Sequence, residues 1–205
     1  MELHDTLKEI RQSFRLLMNG VTAQSLREKG QDYRINWGAS LQHLREMAAE
    51  YPQDYDFAAE LWKDDVRESK ILATMLMPKD SFPVDLALLW VEQTRTQEIA
   101  ELAVMNLYQY QSYAAEMAMR LIASPDDMQQ LHGYTLLARL FAKGETLEDR
   151  DVSEFLDQAI SALQGTSLIV RHSALKAVQK FAETDDMCAQ IARSALKSVK
   201  MQDWV

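Results

Sequence analysis

Apolar residues return every three or four positions along almost the whole chain, the spacing of a helix with one buried face. Leu7, Ile10, Phe14 and Leu17 form a first stripe, which stops at Asn19-Gly20, a pair suited to ending a helix. Leu41, Leu44, Met47 and Ala48 form a second, and Phe57, Ala58, Leu61 and Trp62 mark a short third. Val66–Met77 predicts a longer helix closed by Pro78, followed by Asp85–Val91, Ile99–Tyr108 and Tyr113–Ala123. Leu131–Phe141, Val152–Leu163, Leu168–Ala182 and Met187–Val199 complete about eleven predicted helices.

The pattern also repeats at a longer interval. Taking Val66, Ile99, Gln130 and Val170 as equivalent positions gives spacings of 33, 31 and 40 residues. Each of these segments follows another predicted helix and a short polar link: Asp64-Asp65, Thr94–Thr96, Asp126-Asp127 or Thr166-Ser167. Such links suit helix N-caps. Helix pairs at this period are the mark of an α-solenoid. The expected fold is all-α, a single domain over 1–205 built as a right-handed stack of antiparallel helix pairs. The alternative is an irregular helical bundle with similar stripes.

Composition narrows the picture. Among 205 residues there are only 6 Gly and 4 Pro, too little punctuation for a sandwich or barrel. Cys188 is the sole cysteine, so no intramolecular disulfide or cysteine-based zinc site is expected. His4, His43, His132 and His172 have no His-x-x-x-His spacing, so no metal or cofactor is predicted. The longest apolar runs, 71–77 and 86–91, fall far short of the roughly 20 residues a membrane span needs. The start of the chain lacks the apolar core of a signal peptide. A soluble, cytoplasmic protein without membrane contact is expected, its oligomeric state open.

The residues Ile35-Asn36-Trp37-Gly38 and Leu41–Ala48, with Leu61-Trp62 and Val66–Ala73, resemble an early segment of the DNA alkylation repair family. The resemblance covers about residues 15–185. It implies HEAT-like repeats, and in some members the excision of N3- and N7-alkylated purines, leaving duplex DNA as the implied partner. A cationic base of that kind is a good leaving group; a nearby carboxylate stabilises the sugar cation, and aromatic faces hold the base. By the resemblance, Glu101 stands where a catalytic Asp is expected and Gln97 where its Trp partner is expected. His132 falls on an expected Arg and Lys176 on an expected Trp. Arg67, Lys70, Arg171, Lys176 and Lys180 are the candidate phosphate contacts.

Charge distribution bears on that reading. The net charge is −9, which repels phosphate. It is concentrated: residues 46–165 carry −13, while 1–45 and 166–205 each carry +2. Two functions therefore stand side by side. One is a divergent member that binds duplex DNA, with or without base excision. The other is a non-enzymatic scaffold that binds a partner protein. Trp62, Trp90 and the methionines Met75, Met77, Met105, Met117 and Met119 are expected in the core, and Trp37 at the surface.

Overall fold

The computed structural model describes residues 3–205. Among them are twelve α-helices and no strand beyond an isolated bridge between Ile35 and Val66. The fold is all-α and HEAT-like. Contacts within the chain group it into two compact units, one running to Ala87 and including Thr94–Leu107, the other comprising Leu88–Gln93 and Tyr108–Val205.

The first unit holds α1 (Leu3–Leu16), α2 (Gly20–Glu28), α3 (Leu41–Ala49), α4 (Tyr55–Lys63), α5 (Arg67–Leu76) and α7 (Gln97–Asn106). The stripe Leu7, Ile10 and Phe14 packs α1 against α4. Helix α5 touches α3, α4 and α7, so most of its circumference is covered and even Arg67, Glu68, Ser69 and Thr74 are buried. Buried polar groups of this kind need partners, and the site below shows where they find them. Helix α2 was missed by the apolar pattern. It buries no residue, so it writes no stripe. Asn19, read as a stop, is its N-cap and accepts the Thr22 N–H at 3.0 Å. Gly38 follows closely: its φ of +73° is open to glycine, and a Cβ there would lie 2.1 Å from the Asn19 carbonyl oxygen.

Helix α6 (Val84–Gln93) precedes α7 in the chain. The second unit contains α8 (Ala114–Ile122), α9 (Asp127–Ala142), α10 (Asp149–Gln164), α11 (Leu168–Ala182) and α12 (Asp186–Leu196). Its two inner helices, α9 and α11, pack against each other; α8 lies on α9, and α10 and α12 lie on α11. Phe141, Phe155 and Phe181 knit α9, α10 and α11 with ring centroids 5.4–5.9 Å apart. The four repeating segments thus fall on α5, α7, α9 and α11, and three of these pack on the helix before them: α5 on α4, α9 on α8 and α11 on α10.

Helix α8 approaches α9 closely at Gly133. A Cβ there would meet the Ile122 nitrogen at 2.8 Å and the Ala118 oxygen at 2.9 Å, and backbone cannot rotate aside. Gly133→Ala is therefore expected to lose about 1–3 kcal/mol of stability, even though alanine is the better helix former. Urea denaturation checks this, and a stability equal to or above the parent's would show that α8 can move away freely.

Candidate nucleic-acid interface

Helix α7 opens with two acids that the fold treats in opposite ways. Glu101 is exposed, and its Oε1 accepts a hydrogen bond from the Gln97 side-chain amide at 2.9 Å. Gln97 is half-buried, so the pair forms one solvent-facing edge, as a spacing of four predicts. Glu98 points inward instead. It receives the Arg67 guanidinium in a forked pair at 2.8 and 2.7 Å and the Tyr33 hydroxyl at 2.6 Å. Its backbone N–H donates to Gln31 Oε1 at 3.1 Å.

That inner network holds one of the expected phosphate contacts, Arg67, and Trp62 covers a second, Lys70. Arg67 is 2% exposed. Besides Glu98 it donates to Glu68 at 3.1 Å and to the Ala39 carbonyl at 2.9 Å. Glu68, fully buried, also accepts the backbone N–H groups of Trp37 and Ala39, each at 3.2 Å. Burial works against the charge on both partners, but the carboxylates hold Arg67 firmly protonated, and Arg67 with Tyr33 keeps Glu98 below the usual carboxylate range. The Tyr33 hydroxyl, buried beside Glu98, is pushed well above the ordinary phenol range. Lys70 is half-buried; it donates to the Trp62 carbonyl at 2.8 Å and lies 4.5 Å from the centre of the Trp62 ring. Burial lowers its pKa. Arg67 is therefore enclosed inside the first unit, correcting the expectation that it faces a phosphate, while Lys70 is half-covered by Trp62.

His132 needs a similar correction. The arginine position that the resemblance gives it requires exposure, and its side chain is fully buried. Its Nδ1 bonds to the Met128 carbonyl at 2.8 Å, and Nε2 has no partner. Burial pushes its pKa down to about 4, so at neutral pH it carries no charge with which to replace an arginine.

Helix α11 presents the cations that remain available. Arg171 and Lys176 are exposed, and neither makes an ion pair among the described residues. Lys180 is half-buried and ion-paired with Glu183. Further along, Lys197 and Lys200 are exposed, while Arg193 donates to the Val205 carbonyl at 3.0 Å. No group of three or more His, Cys, Asp or Glu suited to a metal occurs among the described residues. Nor is any described helix long and apolar enough to cross a membrane.

The sequence of residues 10–144 matches the family model described as DNA alkylation repair enzyme. The chain belongs to the DNA alkylation repair family. A solved structure described as "a new family of proteins related to the HEAT-like repeat DNA glycosylases with affinity for branched DNA structures" superimposes with a TM-score of 0.83. It is 13% identical, and the alignment covers 94% of this chain and 82% of that one. The curated proteins give no match. The family match ends just after α9, so Arg171, Lys176 and Lys180 lie beyond it, in a part that only the structural superposition reaches.

The network around Arg67 was illegible in the sequence. Gln31 and Tyr33 sit in a polar loop 67 and 65 residues from Glu98, and nothing in their local pattern marks them as its partners.

Proposed function

We propose that this chain is a DNA-binding member of the DNA alkylation repair family that holds the sugar–phosphate backbone without excising bases. The family match over 10–144 carries the reading. The exposed Arg171 and Lys176 supply the phosphate contacts, joined at lower occupancy by Lys180, which must first leave Glu183.

The chemistry argues for binding alone. Excision would ask Glu101 to stabilise a sugar cation, but its carboxylate is in water, where unit charges 4 Å apart are worth only about 1 kcal/mol. Gln97 offers an amide in place of an aromatic face for a cationic base. Lys176, where the resemblance expects a second Trp, is a point charge suited to phosphate.

The test is fluorescence anisotropy of a linear duplex and a four-way junction across a salt series. The junction is included because the structural neighbour is described as having affinity for branched DNA. Binding that weakens with salt is expected, and Arg171→Ser with Lys176→Ser should flatten the log–log slope by about 0.9 per lost phosphate contact on duplex. An unchanged slope would remove α11 from the interface. No binding at low salt would hand the fold to the protein-scaffold reading. Release of methylated purines from methylated DNA that Glu101→Gln abolishes would overturn the non-excising part.

A further inference from the structure

At one end of the second unit the C-terminal ends of α9 and α11 meet the first turns of α10 and α12. Between them lies a cavity of about 420 Å³. Phe141, Leu156 and Phe181 line its interior, and Val152 and Leu147 add apolar walls. Met187 and Ile191 stand at its edge on α12, 71% and 40% exposed. The volume lies within the roughly 300–1,000 Å³ of ligand-binding pockets. Neither the DNA contacts on α11 nor the α7 carboxylate makes use of it.

Charge selects the occupant. Two helix N-termini open here, and each would favour an anion by about half a unit of positive charge. Their first turns already carry more than enough negative charge to cancel that. Glu148, Asp149 and Asp151 stand at the start of α10, and Asp185 and Asp186 at the start of α12. Asp185 is used as a cap, accepting the Cys188 N–H at 2.7 Å. Glu145, on the cavity wall, is paired with Lys143 at 2.9 Å. Asp149 lines the cavity with no ion pair among the described residues, and Glu148 beside it is exposed. The wall is apolar with one lining acid, Asp149, unpaired among the described residues on its α10 side, which disfavours a phosphate or a fatty-acid carboxylate.

We propose that this cavity docks a partner protein through a short basic segment bearing a bulky apolar side chain. The apolar group fills the space over Phe141 and Phe181, and flanking Lys or Arg residues face Asp149 and Glu148. One desolvated anchor within a charged rim is how small interfaces concentrate their affinity.

The full-length chain can be tested by selection from a random-peptide display library. Met187→Lys combined with Ile191→Lys serves as counter-selection; both sites are exposed, and circular dichroism confirms that the double variant is folded. Peptides combining a large apolar residue with Lys or Arg are expected to emerge and to bind the double variant about tenfold or more weakly. They should also slow the reaction of Cys188, the sole thiol and a lining residue, with an aromatic disulfide. Asp149→Asn should reduce the salt dependence of their binding. Enrichment of acidic peptides, of none, or of peptides that leave the thiol rate and the double variant's affinity unchanged would overturn the proposal.

Discussion

Arg67→Met is expected to destabilise the first unit by about 3–5 kcal/mol, the cost of breaking a buried ion pair from one side. The substitution removes little volume. What it leaves is Glu68 with no exposure and Glu98 largely enclosed, both without their cation. Tyr33 also loses the cation that orients the Glu98 carboxylate toward it. Arg67→Lys should recover only part of the loss, because an ammonium cannot reproduce the forked pair on Glu98 while reaching Glu68 and the Ala39 carbonyl. Adding Glu98→Gln to Arg67→Met should restore stability relative to the single variant, since one stranded charge is then gone. Urea denaturation followed by circular dichroism measures all three. A loss below about 1 kcal/mol for Arg67→Met would mean that water reaches the network and screens it.

The second large effect is acid sensitivity from His132. Its pKa falls from 6.5 to about 4 on folding because the imidazole is enclosed, the Met128 carbonyl and Asp126 opposing this only in part. The folded state therefore binds the proton less readily than the unfolded chain. Stability from this group is intact above pH 6.5 and is lost as pH falls toward 4, amounting to roughly 3 kcal/mol. Glu98 adds its own loss below the ordinary carboxylate range, since its pKa is also depressed. The interval between about 4.5 and 6.5 thus reports mainly on His132. Its ring resonances should stay neutral at pH 5 in the folded protein, and His132→Gln should flatten the stability curve over that interval. An imidazole that titrates at its ordinary value would show that the site is open to water.

How far the sequence revealed this protein differs from helix to helix. Eleven helices are visible because each carries an apolar stripe, even α3, which buries only Leu44; α2 is hidden because it buries nothing, and its cap reads as a stop. Of the four polar links read as caps, Asp126 does accept the Gln129 N–H at 2.9 Å. Thr96 instead donates to the Tyr33 hydroxyl, and Asp64 pairs with Arg11. Trp62, Trp90, Met77 and Met117 are in the core as expected, yet Met105 is 43% exposed. Trp37 is half-buried, with the Arg15 guanidinium 5.8 Å from its ring.

At the candidate site the family was legible, and the side-chain roles were not. Glu98 and Glu101 look alike in sequence, three positions apart on one helix. Arg67 on α5 and the loop that folds over it make one an enclosed ion-pair partner and leave the other in water. Arg67 and Lys70 read as a basic patch because the residues that neutralise or cover them are remote or are backbone carbonyls. Arg171 and Lys176 kept their exposure because α11 lays its opposite face against α9 and α10.

The clamp around Glu98 also says something about the order in which the first unit assembles. The Arg67–Glu98 pair closes 31 residues of chain, whereas the Tyr33 and Gln31 bonds close 65 and 67. Each doubling of a closed loop costs about 0.6 kcal/mol more in chain entropy, and contacts so distant form slowly. Helices α5 and α7 can therefore pair first, and the 31–39 segment then seals a charged seam that is still hydrated. The last step expected in this unit is a drying step, in which water leaves Glu68 as the backbone N–H groups of Trp37 and Ala39 take its place, and leaves Glu98 as the Tyr33 hydroxyl does.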